Sequence, residues 1–152
     1  MNFNFDIRGN LIPYELVETD YQTFREIFVE SFDSDTSNRY EIFKNYEVYL
    51  EEINKITNHP FSQWINGSFV SNKPNPKDID LVSILHFEDY QLNQENFERN
   101  LVGIHAREKY GVDAYVIPDF PTNHPNHVFS KSDKLYWRNL FSNKMHYLPL
   151  LL

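Results

Sequence analysis

The chain has 152 residues, of which 41% are hydrophobic and 16% are aromatic. This length is typical of one domain, and the apolar content is well above that of disordered chains. The 22 acidic and 14 basic residues give a formal net charge of -8, which disfavours broad binding to nucleic acid because the net field repels phosphate. The absence of cysteine excludes disulfides, thiolate nucleophiles and cysteine-ligated zinc.

The two ends of the chain carry no targeting or membrane signal. The N-terminal sequence MNFNFDIRGN lacks a basic region followed by an apolar stretch. The C-terminal LPLLL is far shorter than the ~20 residues that a membrane-spanning helix needs. We therefore expect a soluble, cytoplasmic protein without a membrane partner.

Two amphipathic helices are predicted in the N-terminal part. In residues 19–32, aromatic side chains recur at three- and four-residue spacing, and Thr19 or Asp20 can cap the first turn. Residues 39–57 repeat this spacing over a longer segment, after the polar break DSDTSN. The pattern predicts two helices that each bury one face.

Strand and helix patterns alternate through the rest of the chain. The segments FSQWING (61–67), DIDLVSILHF (78–87) and VDAYVI (112–117) have the composition of strands. Helical spacing predicts one helix over 93–110, with Gly111 as its left-handed C-cap, and a last helix that starts at Ser132 or Asp133. The closing segment MHYLPLLL (145–152) is apolar and of undetermined type.

This order of elements predicts an α/β (α+β) fold, in which helices pack on a small mixed sheet. No repeat, low-complexity tract or long linker divides the chain, so we expect one domain over residues 1–152. Its predicted parts are a helical segment (1–60), a core (61–118) and a C-terminal helix with a tail (119–152).

A pair of aspartates opens the predicted central strand. Side chains alternate along a strand, so Asp78 and Asp80 point to the same side. Two co-facial carboxylates repel each other unless a cation lies between them, and Mg²⁺ (or Mn²⁺) is the hard cation that prefers such oxygen ligands. Asp113, near the start of the next strand, offers a third carboxylate. The alternative is that these aspartates cap local turns.

A glycine-serine turn precedes the aspartate pair. Gly67 allows close approach of a ligand to the backbone, and the amides and hydroxyl around Ser68 can bind phosphate oxygens. Without such a ligand, Gly67 is a tight turn and Ser68 a helix cap.

Together these residues resemble the signature of the DNA polymerase β-like nucleotidyltransferase superfamily. The residues that carry the resemblance are Asn66-Gly67-Ser68, Asp78-Ile79-Asp80 and Asp113. Within the superfamily, the segments WINGSFVSNKPNPKDIDLV and YWRNLF resemble those of a family of small bacterial proteins with a domain of unknown function.

The resemblance implies a Mg²⁺-dependent transfer of a nucleoside monophosphate, AMP being favoured, from a nucleoside triphosphate to a hydroxyl on protein or RNA. Asp78 and Asp80 would ligate the divalent ions, and Asp113 would complete the metal site and help to activate the acceptor hydroxyl. Gly67 and Ser68 would contact the β- and γ-phosphates.

Comparison with small members of the superfamily points to one difference in the loop after Gly67-Ser68 and to a protein partner. Small members often carry an arginine and a second glycine soon after Gly-Ser, so Lys73 and Lys77 are the candidates here for the missing positive charge. Such members are often one half of a toxin–antitoxin or defence pair, which implies a protein partner or target.

Two other functions stay open on sequence grounds. The chain could be a catalytically inactive protein of the same fold that acts as an antitoxin or regulatory partner, or a metal-dependent phosphodiesterase. Trp64, Tyr136 and Trp137 are either purine-stacking residues or core and groove walls, and we favour the latter. For His124 and His127 we favour a surface loop over a metal site.

Overall fold

Residues 3–13, 16–143 and 147–151 are described here from a computed structural model of the chain. Their strands are β1 (Asn4–Phe5), β2 (Leu11–Ile12), β3 (Thr19–Asp20), β4 (Ser62–Asn66), β5 (Ile79–His86), β6 (Val112–Asp119) and β7 (Tyr147–Leu151). Their α-helices are α1 (Tyr21–Arg25), α2 (Arg39–Ile56), α3 (Phe87–Asn96), α4 (Gly103–Tyr110) and α5 (His127–Asn143). Turns of π-helix at Glu26–Glu30 and Phe97–Leu101 extend α1 and α3, and a 3₁₀ turn at Ser68–Val70 follows β4.

Five strands form one mixed sheet in the order β3-β7-β4-β5-β6. The central pair β4 and β5 is antiparallel, whereas β5 and β6 are parallel and connected by α3 and α4. A parallel pair needs such a crossover because its strands start at the same sheet edge. The predicted α+β fold with a small mixed sheet is confirmed.

The two faces of the sheet are covered by different helices. Helices α1 to α4 pack on one face around a largely aromatic core that includes Phe24, Phe43 and Tyr46. On the other face, Phe141 of α5 packs against Val82 of β5. The stripe of α2 explains its position, because its buried residues recur at three- and four-residue spacing (Phe43, Tyr46, Tyr49, Leu50 and Ile53).

The helix predicted over residues 93–110 is wrong in its bounds. Helix α3 begins six residues earlier, directly after β5, because the His86 side chain accepts a hydrogen bond from the Glu88 amide and caps the first turn. Val102 then adopts extended backbone and separates α3 with its π-helical turn from α4. Gly111 ends α4 in the left-handed region at φ 67°, as predicted.

The last helix also begins earlier than predicted, at His127 instead of Ser132 or Asp133. Buried Ser130 connects this first turn to the end of β6, since its hydroxyl donates to Pro118 O at 2.9 Å and accepts from Phe120 N at 2.7 Å. Most of the closing apolar segment forms β7, between β3 and β4. Met145, His146 and Leu152 of that segment lie outside the described residues.

The N-terminal part is not only helical. Strands β1 and β2 form a small hairpin, and the two residues of β3 pair with β7. Asp20 then caps α1 by accepting a hydrogen bond from Thr23 N at 2.8 Å. Among the described helices, none is long and apolar enough to span a membrane.

Candidate functional site

Strand register brings two of the predicted aspartates together. Asp80 of β5 lies opposite Asp113 of β6 on one side and opposite Asn66 of β4 on the other. Register partners on neighbouring strands share a sheet face and have Cβ atoms about 5 Å apart. The three oxygen-bearing side chains therefore form one row across the face that α5 partly covers.

Asp78 lies at the entrance to this row. It precedes β5 by one residue and is half-buried. Its negative charge, together with the larger effect of Asp113, raises the pKa of Arg107 on α4. The role of Asp78 as a ligand stays a prediction.

Two oxygens in the row have no hydrogen-bond partner among the described residues. They are Asp113 Oδ1 and Asn66 Oδ1, and both are buried. A buried acceptor without a donor is unfavourable, and a donor or a cation at each oxygen would remove the penalty. Carboxylate and amide oxygens are also the ligand type that Mg²⁺ prefers, so the residue types suit a hard divalent cation, but the ligand atoms of Asp78, Asp80 and Asp113 do not all lie within 4.8 Å of one another.

Arg107 provides positive charge at the same row. Its Nη2 lies 2.8 Å from Asp113 Oδ2, and nearly half of the arginine side chain is exposed. Tyr115, two residues further along β6, has a pKa raised by burial and by the negative charge of Asp113. The row is thus an acidic site whose charge is partly neutralised by one exposed guanidinium.

Gly67 supports Asp80 from the neighbouring loop. Its backbone adopts φ 81° and ψ −166°, a region that is essentially restricted to glycine. A Cβ at this position would lie 1.9 Å from Asp80 Oδ2, so the carboxylate occupies the space that any side chain would need. The glycine-serine turn and the aspartate strand are therefore in direct contact.

We expect Gly67→Ala to lower the free energy of unfolding by at least ~2 kcal/mol, because backbone strain adds to the displacement of the Asp80 carboxylate. Urea unfolding followed by tryptophan fluorescence measures this loss. Gly103→Ala is the matched control, because Gly103 also has a positive φ, of 58°. A Cβ at Gly103 would have no atom of the described residues within 4 Å, apart from those of its own helical turn. We expect a loss of about 1 kcal/mol there. Equal losses in the two variants would contradict the close contact between Gly67 and Asp80.

Two cavities meet at the Gly67–Asp80 contact. The first is an open groove of about 730 Å³ that has Gly67 and Ser68 in its wall and two cationic residues, Arg8 and Lys73. The second is a pocket of about 210 Å³. Its lining comprises Asp80, Leu81, Asp113, Tyr115, Tyr136, Trp137, Leu140 and Phe141. A cationic groove therefore adjoins an acidic pocket with aromatic walls.

The cationic groove depends on the N-terminal hairpin. The Asp6 carboxylate accepts hydrogen bonds from Arg8 N and Asn10 N, both at 2.8 Å, and so closes the turn. The hairpin binds the loop after Ser68 through Asn72 N, which donates to Gly9 O at 2.7 Å. These contacts place Arg8 beside Lys73.

The opposite side of that loop is bound by Arg39, which is fully buried. Its Nη1 donates to Phe69 O at 2.6 Å, and its Nη2 donates to Ser71 O at 2.6 Å and to Lys73 O at 2.7 Å. Burial lowers the pKa of Arg39 to about 10, so the guanidinium remains charged at neutral pH. One arginine thus fixes the carbonyls along the whole loop between the glycine turn and Lys73.

The remaining predicted residues have different positions. Lys77 is exposed, and it is not part of the groove lining. His124 stacks on Phe120 with ring centroids 4.7 Å apart, and His127 is the first residue of α5 rather than part of a loop. Tyr136 and Trp137 line the aspartate pocket. The functional roles of Lys73 and Lys77 stay predictions.

Sequence reasoning missed Arg8, Asn66 as a possible ligand, and Arg107. Asn66 was visible beside Gly67, and the antiparallel pairing of the two strands would have placed it opposite Asp80. Arg8 and Arg107 lie far from the motif in the chain and have no spacing that would indicate their approach.

The fold and the site define an α+β protein with an acidic row beside a cationic, glycine-containing groove. The chain matches the model of a family of unknown function, DUF6932, over residues 3–147, and it belongs to that family. Among curated proteins and solved structures, none shows significant similarity to this chain.

Proposed function

We propose that this chain is a divalent-cation-dependent nucleotidyltransferase that transfers AMP or another nucleoside monophosphate to a hydroxyl of a protein or an RNA. The observation that carries the proposal is the contact between Gly67 and Asp80, with Asp113 in register beside it. This contact brings the cationic groove and the carboxylate pair next to each other. The likeness of these residues to the nucleotidyltransferase signature supports the same function.

The triphosphate is assigned to the groove between the N-terminal hairpin and the loop after Ser68. Arg8 and Lys73 in its wall supply positive charge, and Ser68 supplies a hydroxyl. Local charge is needed because the whole chain has a formal net charge of -8. The aromatic faces of Tyr115 and Trp137 in the adjoining pocket are suited to contact a nucleobase.

The divalent cation, Mg²⁺ or Mn²⁺, is assigned to Asp80, Asp113 and Asn66 Oδ1, with Asp78 at the entrance. When bound, it supplies neutralisation of negative charge on the phosphate oxygens. Asp113 would help to activate the acceptor hydroxyl as a ligand of this cation, and the hydroxyl proton is released to water. The hydroxyl oxygen forms a bond to the α-phosphorus, the bond to the β-phosphate bridging oxygen breaks, and pyrophosphate leaves.

Calorimetric titration of the full chain with ATP in the presence of Mg²⁺ tests the nucleotide site. We expect the wild-type chain to bind, and the double variant Arg8→Gln/Lys73→Gln to bind at least ~10-fold more weakly, because two charge-assisted contacts to phosphate are lost. The double variant Lys44→Gln/Arg99→Gln removes the same charge from two exposed helical positions and is expected to bind like wild type.

Absence of binding by the wild-type chain would contradict the proposal. If both double variants bound ATP equally weakly, only the net charge of the chain would matter, and the triphosphate could no longer be assigned to the groove. Binding of ATP without transfer to any acceptor would favour the second candidate function below.

The second candidate is a protein that binds a nucleotide or a protein partner without catalysis, as an antitoxin or regulatory partner. The Arg107–Asp113 ion pair favours it, because a guanidinium at 2.8 Å already neutralises one of the aspartates. In this function the positive charge of Arg107 takes the place of a cation beside Asp113. The presence of Asp80 and Asp113 in register supports the enzymatic proposal instead.

A further inference from the structure

A second group of ligand-type side chains lies at the opposite end of β5 from Asp80. It consists of His59, between α2 and β4, His86, the last residue of β5, and Glu88 in the first turn of α3. Asp80 and His86 are six positions apart along β5, which corresponds to about 20 Å of extended strand. This group is therefore separate from the aspartate row and from the proposed nucleotide site.

The two histidine rings present nitrogens to the same carboxylate oxygen. The rings are stacked with centroids 3.9 Å apart and an angle of 16° between their planes. Glu88 Oε2 lies 3.9 Å from His59 Nε2 and 3.8 Å from His86 Nδ1. One ligand atom from each of the three residues lies within 4.8 Å of the other two. These distances are too long for hydrogen bonds and short enough for one shared ion after a small contraction.

A buried carboxylate orients His59. Asp89 is 1% exposed, and its Oδ2 lies 3.1 Å from His59 Nδ1 and accepts from His59 N at 2.9 Å. An acceptor at Nδ1 places the ring proton on that nitrogen and leaves the Nε2 lone pair directed towards Glu88. A carboxylate that fixes the far nitrogen of a histidine in this way is the usual outer-shell partner of a metal-binding histidine.

His86 is held by the helix that follows it. His86 Nδ1 accepts the capping hydrogen bond from the Glu88 amide at 3.4 Å, which orients the ring and occupies the lone pair of that nitrogen. This contact is long for a hydrogen bond, so a stronger ligand can replace it. With this contact replaced and the stacked rings tilted, one nitrogen of each imidazole can face Glu88 Oε2.

We propose that His59, His86 and Glu88 bind a divalent transition-metal ion of the Zn²⁺ class. Two imidazole nitrogens and one carboxylate oxygen are ligands that suit Zn²⁺, and tetrahedral binding at ~2.0–2.1 Å needs ligand atoms about 3.4 Å apart. The 3.8 and 3.9 Å separations from Glu88 require a closure of about 0.5 Å, and the two imidazole nitrogens, which lie within 4.8 Å of each other, also have to approach as the rings leave their stacked arrangement. Because 40% of the His59 and 56% of the Glu88 side chain is exposed, water has access to the remaining coordination position.

Titration of the full, tag-free chain with ZnCl₂ tests this site, with Co²⁺ absorption as a second reading of coordination geometry. We expect one Zn²⁺ per wild-type chain. Glu88→Gln replaces a side chain that is 56% exposed, and His59→Gln keeps an amide donor for the buried Asp89 carboxylate. Each variant is expected to weaken Zn²⁺ binding at least ~10-fold. The double variant Asp80→Asn/Asp113→Asn is expected to retain the binding.

Absence of Zn²⁺ binding in the wild-type chain would overturn the proposal and leave the stacked histidines as a structural contact only. Unchanged binding in both Glu88→Gln and His59→Gln would also overturn it. Loss of binding in the Asp80→Asn/Asp113→Asn variant would assign the ion to the aspartate row instead. Glu88→Gln should leave binding of ATP with Mg²⁺ unchanged, which keeps this test separate from that of the proposed function.

Discussion

Asp80→Asn and Asp113→Asn are each expected to reduce Mg²⁺-dependent transfer of labelled AMP by at least ~100-fold, a loss of about 2.7 kcal/mol in transition-state stabilisation. Asparagine keeps the size and one oxygen of aspartate but removes the negative charge that would hold a cation. Asp80 lies centrally in the row, between Asn66 and Asp113, so its loss affects the proposed cation site most directly. The measurement is the rate of label transfer and pyrophosphate release, with lysate protein and RNA as acceptors.

Asp119→Asn is the matched control for this loss. Asp119 lies at the other end of β6, where its Oδ1 lies 2.6 Å from Lys134 Nζ, and the substitution removes the same charge from the same strand. We expect transfer by this variant to equal that of wild type. If Asp80→Asn retained full transfer, the enzymatic proposal would fail.

The fold could be predicted from sequence where local periodicity determines structure. Helix α2 and the parallel strands β5 and β6 have apolar patterns that are complete within the segment itself. The short strands could not be predicted, because β3 has two residues and forms its hydrogen bonds with β7, more than 120 residues later in the chain. The start of α3 was missed because Leu92 is 77% exposed and the helix has only a weak apolar face.

In the candidate sites too, local sequence patterns were informative and long-range contacts were not. Asp80 and Asp113 could be predicted to lie near one another because each follows the start of a strand and those strands are parallel neighbours. The pair His59 and His86 could not, since 27 positions separate them and no metal-binding spacing connects them. Their approach follows from the register of β4 with β5, which pairs Ser62 with Ile84 and so brings His59, three residues before β4, close to His86, the last residue of β5.

Arg39→Met is expected to lower the free energy of unfolding by at least ~3 kcal/mol, because a hydrogen bond from a charged donor contributes ~1.5–3 kcal/mol and several are lost together. In addition to the three carbonyls of the groove loop, Arg39 Nη1 donates to Phe28 O at 2.8 Å. The guanidinium carbon also lies 4.0 Å from the centroid of the Phe32 ring. Methionine can fill the volume but leaves these buried carbonyls without a donor.

Arg39→Lys separates charge from geometry. Lysine keeps the positive charge but has one nitrogen in place of the planar guanidinium, so it cannot donate to carbonyls on both sides of that group. Most of the loss in the free energy of unfolding is therefore expected to remain. Urea unfolding measures both variants, and Arg99→Met is the control because Arg99 is 75% exposed and pairs with Glu95 on its own helical segment. A loss below about 1 kcal/mol in Arg39→Met would contradict this role. Because Arg39 joins the π-helical turn after α1 to the loop that carries Lys73, its removal should weaken binding of ATP with Mg²⁺ as well as stability, whereas Arg99→Met should change neither.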